Sequence, residues 1–422
     1  MPFNPSRLIV GVLPALYLLA CAGEPFALAE DWPRWRGPNQ SGISTETGLL
    51  KEWPKDGPKQ LWKRPLSGGF SSVVVAEGKL FTQTKERNQE VVLCLDAATG
   101  KEIWQYRYDC EYGAHPSFTG GGMPKSRTGP RATPTVDNGC VYTLGATGIL
   151  LCLDAKTGNK IWQQDLLKIG DRKCHTHGYC NCPLVVGTRV YVQPGGQAGK
   201  SLAALDKNDG HVVWTSLDDP LGQATPVWAE VNGIPEVIFF TGKGAVGVTP
   251  QDGTLLWRYA WTTRYDLNIA TPIYADGKVF ISSNYGTGAS VFRLKDHGEP
   301  ETLWKSPAMQ NHFSSSVLYQ GNLYGFSERR LRCVDFQTGK IRWDKVGLGR
   351  GSLVVADGHL ILLGDDGQLV SARANPDEYS EVCRCQVFDK GTLTWIVPVL
   401  SDGRLFVRSE SQLVALELRG DR

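Results

Sequence analysis

Short apolar runs separated by glycine-containing turns follow one another along the whole chain, and one such pattern recurs at fixed spacing. A small residue, a Leu–Asp pair and a Thr–Gly turn lead into a strand that ends in Trp, as in Cys94–Trp104 and Cys152–Trp162. The frame returns at residues 204–214, 247–257 and 333–343, and a longer, degenerate copy ends at Trp304. Each copy is typical of two short strands joined by a tight turn.

A second pattern precedes each frame and consists of two strands separated by Asp–Gly or Asn–Gly, as at Asn138–Gly139. Asn or Asp before Gly supplies the positive φ of a type I′ turn, so the pattern predicts a β-hairpin. The hairpin glycines fall at positions 78, 139, near 188, 233, 277, 321, 358 and 403. Two hairpins per unit make a four-stranded antiparallel sheet, and a repeat of about 47 residues is typical of propeller blades. The sequence therefore predicts an all-β, eight-bladed β-propeller.

Closure of the predicted ring needs a strand from the beginning of the chain. The eighth unit ends at Leu413–Leu416 without a fourth strand, and Gln60–Lys63 has the sequence of one. Pairing of these two segments would remove the exposed sheet edges of an open ring. The fourth strand of the seventh unit, around Cys383–Phe388, lacks the Trp. The repeat tryptophans are Trp62, Trp104, Trp162, Trp214, Trp257, Trp304 and Trp343.

The first 29 residues have the pattern of a secretory signal peptide. Arg7 precedes an apolar run from Leu8 to Ala22, and Ala27–Leu28–Ala29 is a small-residue cleavage site. The alternative is a lipobox ending at Cys21, which would give a lipid-anchored N-terminus. We expect an N-terminal extension over residues 30–59 and a single propeller over 60–422. No later run is long and apolar enough to span a membrane. Because of the signal peptide pattern, the chain is predicted to be exported and periplasmic or extracytoplasmic.

Composition narrows the function classes. The chain has 422 residues, of which 41% are hydrophobic, with 48 Gly and 13 Trp, which excludes a disordered protein. A net charge of +2 argues against a general nucleic-acid binder, which normally carries a basic stripe. No G-x-S-x-G, H-E-x-x-H, P-loop or C-x-x-C-H motif occurs, so the sequence predicts no catalytic residue. We expect a monomer.

The D-x-x-T-G-x-x-x-W frame resembles the tryptophan-docking motif of proteins with pyrroloquinoline-quinone (PQQ) type β-propeller repeats. The resemblance extends from about Trp32 to Leu418. It implies kinship with BamB-like scaffolds, quinoprotein alcohol dehydrogenases and polyvinyl-alcohol dehydrogenase-like proteins. Because the adjacent Cys–Cys pair of those dehydrogenases is absent here, we expect a binding or scaffolding module of the cell envelope without a cofactor. The alternative is a PQQ- and calcium-dependent alcohol or polyol dehydrogenase.

The face where inter-blade loops gather is the candidate binding surface. Two long inter-blade loops, residues 106–130 and 163–181, are expected on this face. When the units are aligned on their hairpin glycines, each unit also has one equivalent position at the rim of this face, where the inner strand begins. Those positions are Phe70, Arg131, Cys180, Gln223, Ile269, Phe313, Arg350 and Trp395. Arginines among aromatic residues favour an anionic or planar small-molecule ligand, or an envelope protein as partner. The alternative is that the aromatics cap the channel and the arginines pair with acids. The predicted face comprises Arg127, Arg131, His175, His177, Lys243, Asn284, His312 and Arg350.

Cysteine and histidine cluster in the second long loop. Cys174, His175, His177 and Cys180 offer soft ligands suited to zinc or copper, although the spacing is not a standard zinc motif. Nearby Cys182 occupies the register of Thr133 and Thr225, which indicates a small inner-strand residue. For calcium the candidates by strand position are Asp266, Asn268 and Asn284. Five cysteines could form disulfides in an oxidising compartment, with no pairing assigned: Cys110, Cys174, Cys180, Cys383 and Cys385.

Overall fold

Eight antiparallel sheets surround a central channel in the computed structural model, which describes residues 1, 30–110, 129–172, 177–295 and 298–420. The first strands of neighbouring blades contact each other, so these strands line the channel and the fourth strands lie outside. The predicted eight-bladed, all-β propeller is confirmed. Among the described residues, no helix is long and apolar enough to cross a membrane.

Blades 1 to 4 each contain four strands that pair in chain order. Blade 1 contains β3 (Val74–Ala76), β4 (Lys79–Glu86), β5 (Gln89–Asp96) and β6 (Glu102–Asp109). Blade 2 contains β7 (Thr135–Asp137), β8 (Cys140–Leu144), β9 (Ile149–Asp154) and β10 (Lys160–Asp165). Blade 3 contains β11 (Leu184–Val186), β12 (Arg189–Val192), β13 (Leu202–Asp206) and β14 (Val212–Ser216). Blade 4 contains β15 (Val227–Val231), β16 (Ile234–Thr241), β17 (Gly244–Val248) and β18 (Leu255–Ala260).

Blades 5 to 8 continue the pattern, with N-terminal strands added to blades 7 and 8. Blade 5 contains β19 (Ile273–Ala275), β20 (Lys278–Ser283), β21 (Gly288–Arg293) and β22 (Glu301–Ser306). Blade 6 contains β23 (Val317–Tyr319), β24 (Asn322–Ser327), β25 (Arg330–Asp335) and β26 (Ile341–Lys345). Blade 7 contains β1 (Ile43–Ser44), β27 (Gly351–Ala356), β28 (His359–Gly364), β29 (Gln368–Arg373) and β30 (Ser380–Gln386). Blade 8 contains β31 (Val399–Ser401), β32 (Arg404–Arg408), β33 (Gln412–Glu417) and β2 (Gln60–Pro65).

The hairpin turns between the first and second strands have the predicted geometry. Asn138 and Gly139 have φ of 47° and 76°, and Asp137 pairs with Cys140 across the two-residue loop. Positive φ at both loop positions defines a type I′ turn, whose twist matches that of the strands. Blade 3 differs because glycine takes the first loop position, with φ of 59° at Gly187.

The repeat Trp connects neighbouring blades. Trp104 lies opposite the small Cys94 in the same blade, and its indole N–H donates to the Ala155 carbonyl of the next blade at 3.1 Å. A Cβ added to Gly158 would lie 2.7 Å from the Trp104 ring, so only glycine allows this packing. The same donor reaches the next blade from Trp62, Trp162, Trp214, Trp304 and Trp343. In blade 4 Trp257 instead bonds to Glu236 of its own blade.

The Asp of the repeat holds its turn. Asp96 accepts the Thr99 amide at 2.8 Å and the Thr99 hydroxyl at 2.7 Å. These hydrogen bonds to the charged carboxylate lower the pKa of Asp96. Asp154 and Asp335 make the same bonds. These carboxylates therefore stabilise the turns of the repeat by accepting hydrogen bonds within them.

The ring closes as the sequence predicts. β2 pairs with β33, and Trp62 lies opposite Ala415, the register of the other blades. The fourth strand of blade 7 begins at Ser380, three residues earlier than its sequence estimate, because β29 is long enough to pair with all of β30.

Both predicted inter-blade loops are shorter than expected. β6 continues to Asp109, since β4 and β5 form a long hairpin that offers partners for all its residues. In the second loop, α1 (Leu166–Gly170) follows β10, and Asp165 caps it by accepting the Leu167 amide at 2.9 Å.

The N-terminal segment, residues 30–50, passes around the channel wall and touches all eight blades. It is therefore an internal part of the propeller. Its contacts are with Val75, Val136, Val185, Pro226, Thr271, Val317, Val355 and Gly403, one in each blade in that order.

Candidate functional site

A cavity of about 220 Å³ lies where the inner strands begin. Seven of the eight aligned rim positions line it: Phe70, Arg131, Cys180, Gln223, Ile269, Phe313 and Trp395. They come together because each precedes the first strand of its blade at the same distance from the hairpin turn, except that Gln223 lies two residues further from its turn because β15 is longer. The repeat therefore places one side chain from each of seven blades at the opening of the cavity.

A second layer of small side chains lies two residues further along the inner strands. The Cys182 amide donates to the Thr225 hydroxyl at 3.0 Å, and the Thr133 amide donates to the Cys182 sulfur at 3.1 Å. The Thr271 amide and the Ser72 amide make equivalent bonds to the following blade. This belt of bonds between blades fixes the spacing of the rim. Cys182 thus takes a structural position that other blades fill with a hydroxyl.

One side of the cavity is an aromatic wall, which we define as Phe70, Trp395, Phe313 and His312. The Trp395 ring stacks on Phe313 with centroids 4.7 Å apart and on Phe70 with centroids 5.6 Å apart. His312 continues the wall, 5.2 Å from Phe313. Because the rings of blades 6 and 8 meet over blade 7, the blade 7 residue Arg350 does not reach the cavity lining, which corrects the prediction of an eight-member ring.

Arg350 nevertheless stays close to the cavity. Among the described residues, its side chain has no hydrogen bond and no ion pair, and its Nε is buried. Burial, with a smaller contribution from the positive charge of Arg350, lowers the pKa of His312 to about 4. His312 is therefore neutral at pH 7, and its Nε2 lies 3.0 Å from the Tyr285 hydroxyl.

The opposite side of the cavity is a polar wall, which we define as Arg131, His177, Cys180 and Gln223. Arg131 donates to the His177 carbonyl at 3.1 Å, and Gln223 bridges blades by accepting the Cys180 amide at 3.0 Å. Burial and the Arg131 charge lower the pKa of His177. The charge of this wall at neutral pH is therefore that of Arg131.

The thiols of the described lining are not activated nucleophiles. Burial raises the pKa of Cys180 and raises that of Cys182 to about 11, so both sulfurs stay protonated. No Asp or Glu belongs to the described lining. The described lining therefore contains no carboxylate acid–base pair and no carboxylate ligand for calcium.

The other predicted residues divide into three groups. Lys243 lies 3.9 Å from the buried carboxylate of Asp219, outside the described lining. Asn284 is also outside it, buried with an unpaired Oδ1. Arg127, Cys174 and His175 lie outside the described residues.

Two of the proposed metal ligands share the cavity, and the calcium candidates do not converge on it. His177 and Cys180 both line the cavity. Asn268 is occupied by bonds to the Thr241 and Trp261 carbonyls and to the Ser283 hydroxyl, and Asp266 is exposed. No two of the nine described cysteines form a disulfide with each other.

Sequence reasoning missed Trp35, which lines the cavity from outside the blades. Its indole N–H donates to the Thr271 hydroxyl at 2.8 Å. Tyr285, in a loop between second and third strands, also lines the cavity. The repeat could not reveal Trp35, because residues 30–59 carry no copy of it.

Curated proteins similar to this chain belong to different functional classes. BamB from Moranella endobia is 24% identical over 72% of this chain and 78% of its own length. Tetrathionate hydrolase from Acidithiobacillus ferrooxidans is 24% identical over 64% of this chain, and quinoprotein alcohol dehydrogenase PedH from Pseudomonas putida is 29% identical over 54%. The chain spans 49% and 40%, respectively, of these two enzymes.

Solved structures share the fold. BamB from Moraxella catarrhalis superposes with a TM-score of 0.61 and 15% identity, over 86% of this chain and all of that one. Quinohemoprotein alcohol dehydrogenase from Comamonas testosteroni gives 0.68 and 15%, over 93% of this chain and 81% of that one. The sequence profile described as outer membrane protein assembly factor BamB matches residues 54–124 and 88–345, which is more than half of the chain. The chain therefore belongs to the BamB family of PQQ-type repeat propellers.

Proposed function

We propose that this protein is an exported, non-enzymatic binding module of the cell envelope, and that its cavity binds a small, planar, anionic ligand. The observation that carries the proposal is the pairing of an aromatic wall with a polar wall around Arg131. A flat ring would stack on Trp395 or Phe313 while an acidic edge accepted hydrogen bonds from the polar wall.

The charge balance of the cavity favours an anion. Arg350 has no acidic partner among the described residues, and no described lining residue is a carboxylate. The positive charge near the mouth would therefore be compensated by a bound anion. A cavity of about 220 Å³ with an open mouth suits a small molecule or a single acidic side chain of an envelope partner.

Similarity to PedH and to a quinohemoprotein dehydrogenase makes PQQ with calcium the second candidate. PQQ is itself planar and anionic, so the aromatic wall and Arg131 would suit it. The described lining has no carboxylate for calcium, and Asn268 is already fully bonded. The described residues of the cavity therefore do not supply the carboxylate ligands that a calcium-assisted enzyme would need.

Titration of the purified protein with naphthoate, followed by tryptophan fluorescence, tests the proposal. We expect saturable one-to-one binding, with an affinity at least about tenfold lower for Arg131→Met, because a charge-assisted hydrogen bond contributes about 1.5–3 kcal/mol. Arg64→Met is the matched control, because Arg64 pairs with Glu102 on the outer surface at 2.6 Å.

Two further titrations separate the alternatives. Equal affinity for naphthoate and for its uncharged alcohol analogue would overturn the anion site. PQQ binding that requires calcium, followed by alcohol oxidation, would establish the dehydrogenase instead. If neither ligand binds, the face becomes a protein contact surface, to be mapped by crosslinking in the envelope.

A further inference from the structure

The cavity is closed at depth by the N-terminal segment, which comes from outside the repeat. Beyond the rim and the belt, Trp32 pairs with Val75 in both directions at 2.8 and 2.9 Å. The Pro33 carbonyl accepts the Val136 amide at 2.7 Å in the next blade. The segment thus occupies the channel below the cavity, and Trp32 is only 1% exposed.

Trp35 is the part of this segment that faces the cavity. Its hydrogen bond to Thr271 places it at the level of the belt, opposite the rim. Its ring also packs against the core cluster that contains Cys182 and Val185, across the channel from blade 5. A single side chain therefore connects blade 5 with the core cluster of blades 2 and 3.

We propose that residues 30–46 are an internal plug that makes the channel blind, and that Trp35 is a ligand-contacting residue that limits ligand size. The plug follows from the contacts with all eight blades and is independent of any ligand. The size limit rests on the proposed function, because it concerns the ligand of that cavity. A planar ligand would end against the Trp35 indole, with the aromatic wall beside it.

The inner end of the cavity, at Trp35, also differs chemically from the rim. Trp35 donates its N–H to Thr271 and so offers the cavity an apolar ring surface. The acidic edge of a ligand would therefore remain at the rim, near Arg131, and its ring would point inward. Truncation of Trp35 would extend the cavity along the channel, since Thr271, Cys182 and Thr225 are small.

A ligand-free measurement tests the plug. Cys182 is 3% exposed, and we expect Trp35→Ala to increase its modification rate by N-ethylmaleimide about tenfold or more, as read by peptide mass spectrometry. Cys333, inside the core between blades 6 and 7, is the internal control and should not change. Thr271→Val removes the indole bond and keeps the shape, so it should leave the Cys182 rate near that of the wild type. An unchanged rate in folded Trp35→Ala would overturn the plug.

A ligand pair tests the size limit. We expect wild-type protein to bind naphthoate and reject the larger pyrenecarboxylate, and Trp35→Ala to improve the pyrene-to-naphthalene affinity ratio about tenfold. An unchanged ratio in the folded variant overturns the size limit. If Trp35→Ala does not fold, Trp35→Leu takes its place with the same expectations. Absence of naphthoate binding in every variant would refute the proposed function, whereas the maleimide result would still decide the plug.

Discussion

At the scale of residues, the cavity combines the charged Arg131 with titratable side chains that are uncharged at neutral pH. Burial and neighbouring arginines keep His177 and His312 neutral, and burial keeps Cys180 protonated. Desolvation therefore keeps each of these three groups in its uncharged form near neutral pH.

The histidines predict an acid-sensitive fold. Their folded pKa values lie below the unfolded value of about 6.5, so the unfolded chain binds more protons between pH 6.5 and about 4. The stability that neutral His312 contributes is complete above pH 6.5 and is lost as the pH falls towards 4. We expect the melting temperature of the wild type to fall more steeply over this range than that of His312→Gln. Parallel curves would contradict the prediction.

At the scale of elements, the blades fit together through one repeated contact. The indole of one blade lies on the turn glycine of the next and donates to a backbone carbonyl beside it, as Trp104 does with Gly158 and Ala155. Glycine is required there for two reasons, its φ of 74° and the closeness of the ring. The contact thus links a local turn to the packing between sheets.

Substitution of two different glycines distinguishes the effect of the positive φ from that of the ring contact. Gly158→Ala and Gly139→Ala introduce a Cβ at similar φ, 74° and 76°, but only Gly158 has the Trp104 ring within 4 Å. We expect Gly139→Ala to lower the free energy of unfolding by about 1–2 kcal/mol from backbone strain. Gly158→Ala should lower it by about 1–3 kcal/mol more, because the indole must move. Urea denaturation measures both, and equal losses would show that the ring contact contributes nothing.

At the scale of the whole molecule, the ring depends on the seam between blades 8 and 1. Arg408 of β32 is buried there and bonds to the carbonyls of Gly68, Ser71 and Gln83 and to the Thr82 hydroxyl. It has no acidic partner among the described hydrogen bonds, and burial lowers its pKa to about 9. One guanidinium therefore satisfies several carbonyls where the two ends of the chain meet.

Removal of this guanidinium should loosen the ring. We expect Arg408→Met to lower the free energy of unfolding by about 3 kcal/mol or more, because buried carbonyls of blade 1 would lose their donor. Arg64→Met breaks an exposed ion pair across the same seam and should change it by about 1 kcal/mol or less. Comparable effects in urea denaturation would mean that burial of Arg408 is unimportant for closure.

The plug makes a further prediction at this scale. Because residues 30–46 contact all eight blades, limited proteolysis of the folded protein should spare them, although they precede the first blade. Trp32→Ala removes the 1% exposed ring that packs with blade 1 and should make the segment the first site of cleavage. Cleavage elsewhere first would argue that the segment is held without Trp32.

The sequence by itself determined the blades, their turns and the closing strand. These features are encoded locally: Asn138–Gly139 selects its turn, Cys94 leaves room for Trp104, and the same spacing returns in each unit. Alignment of the repeat also identified seven of the cavity residues, because six of them lie at equal distances along equivalent strands and Gln223 precedes a longer one.

Only the tertiary structure decided what those residues do together. The stacking of Phe313 on Trp395 displaces Arg350, a result that depends on rings from blades 6 and 8 meeting across blade 7. The position of Trp35 depends on a non-repetitive segment entering the channel, which no periodicity reveals. The repeat determines the structure of each blade because the contacts within a blade are local or between neighbouring blades. The cavity at the propeller axis instead combines side chains from many blades and from the N-terminal segment, which are distant in sequence.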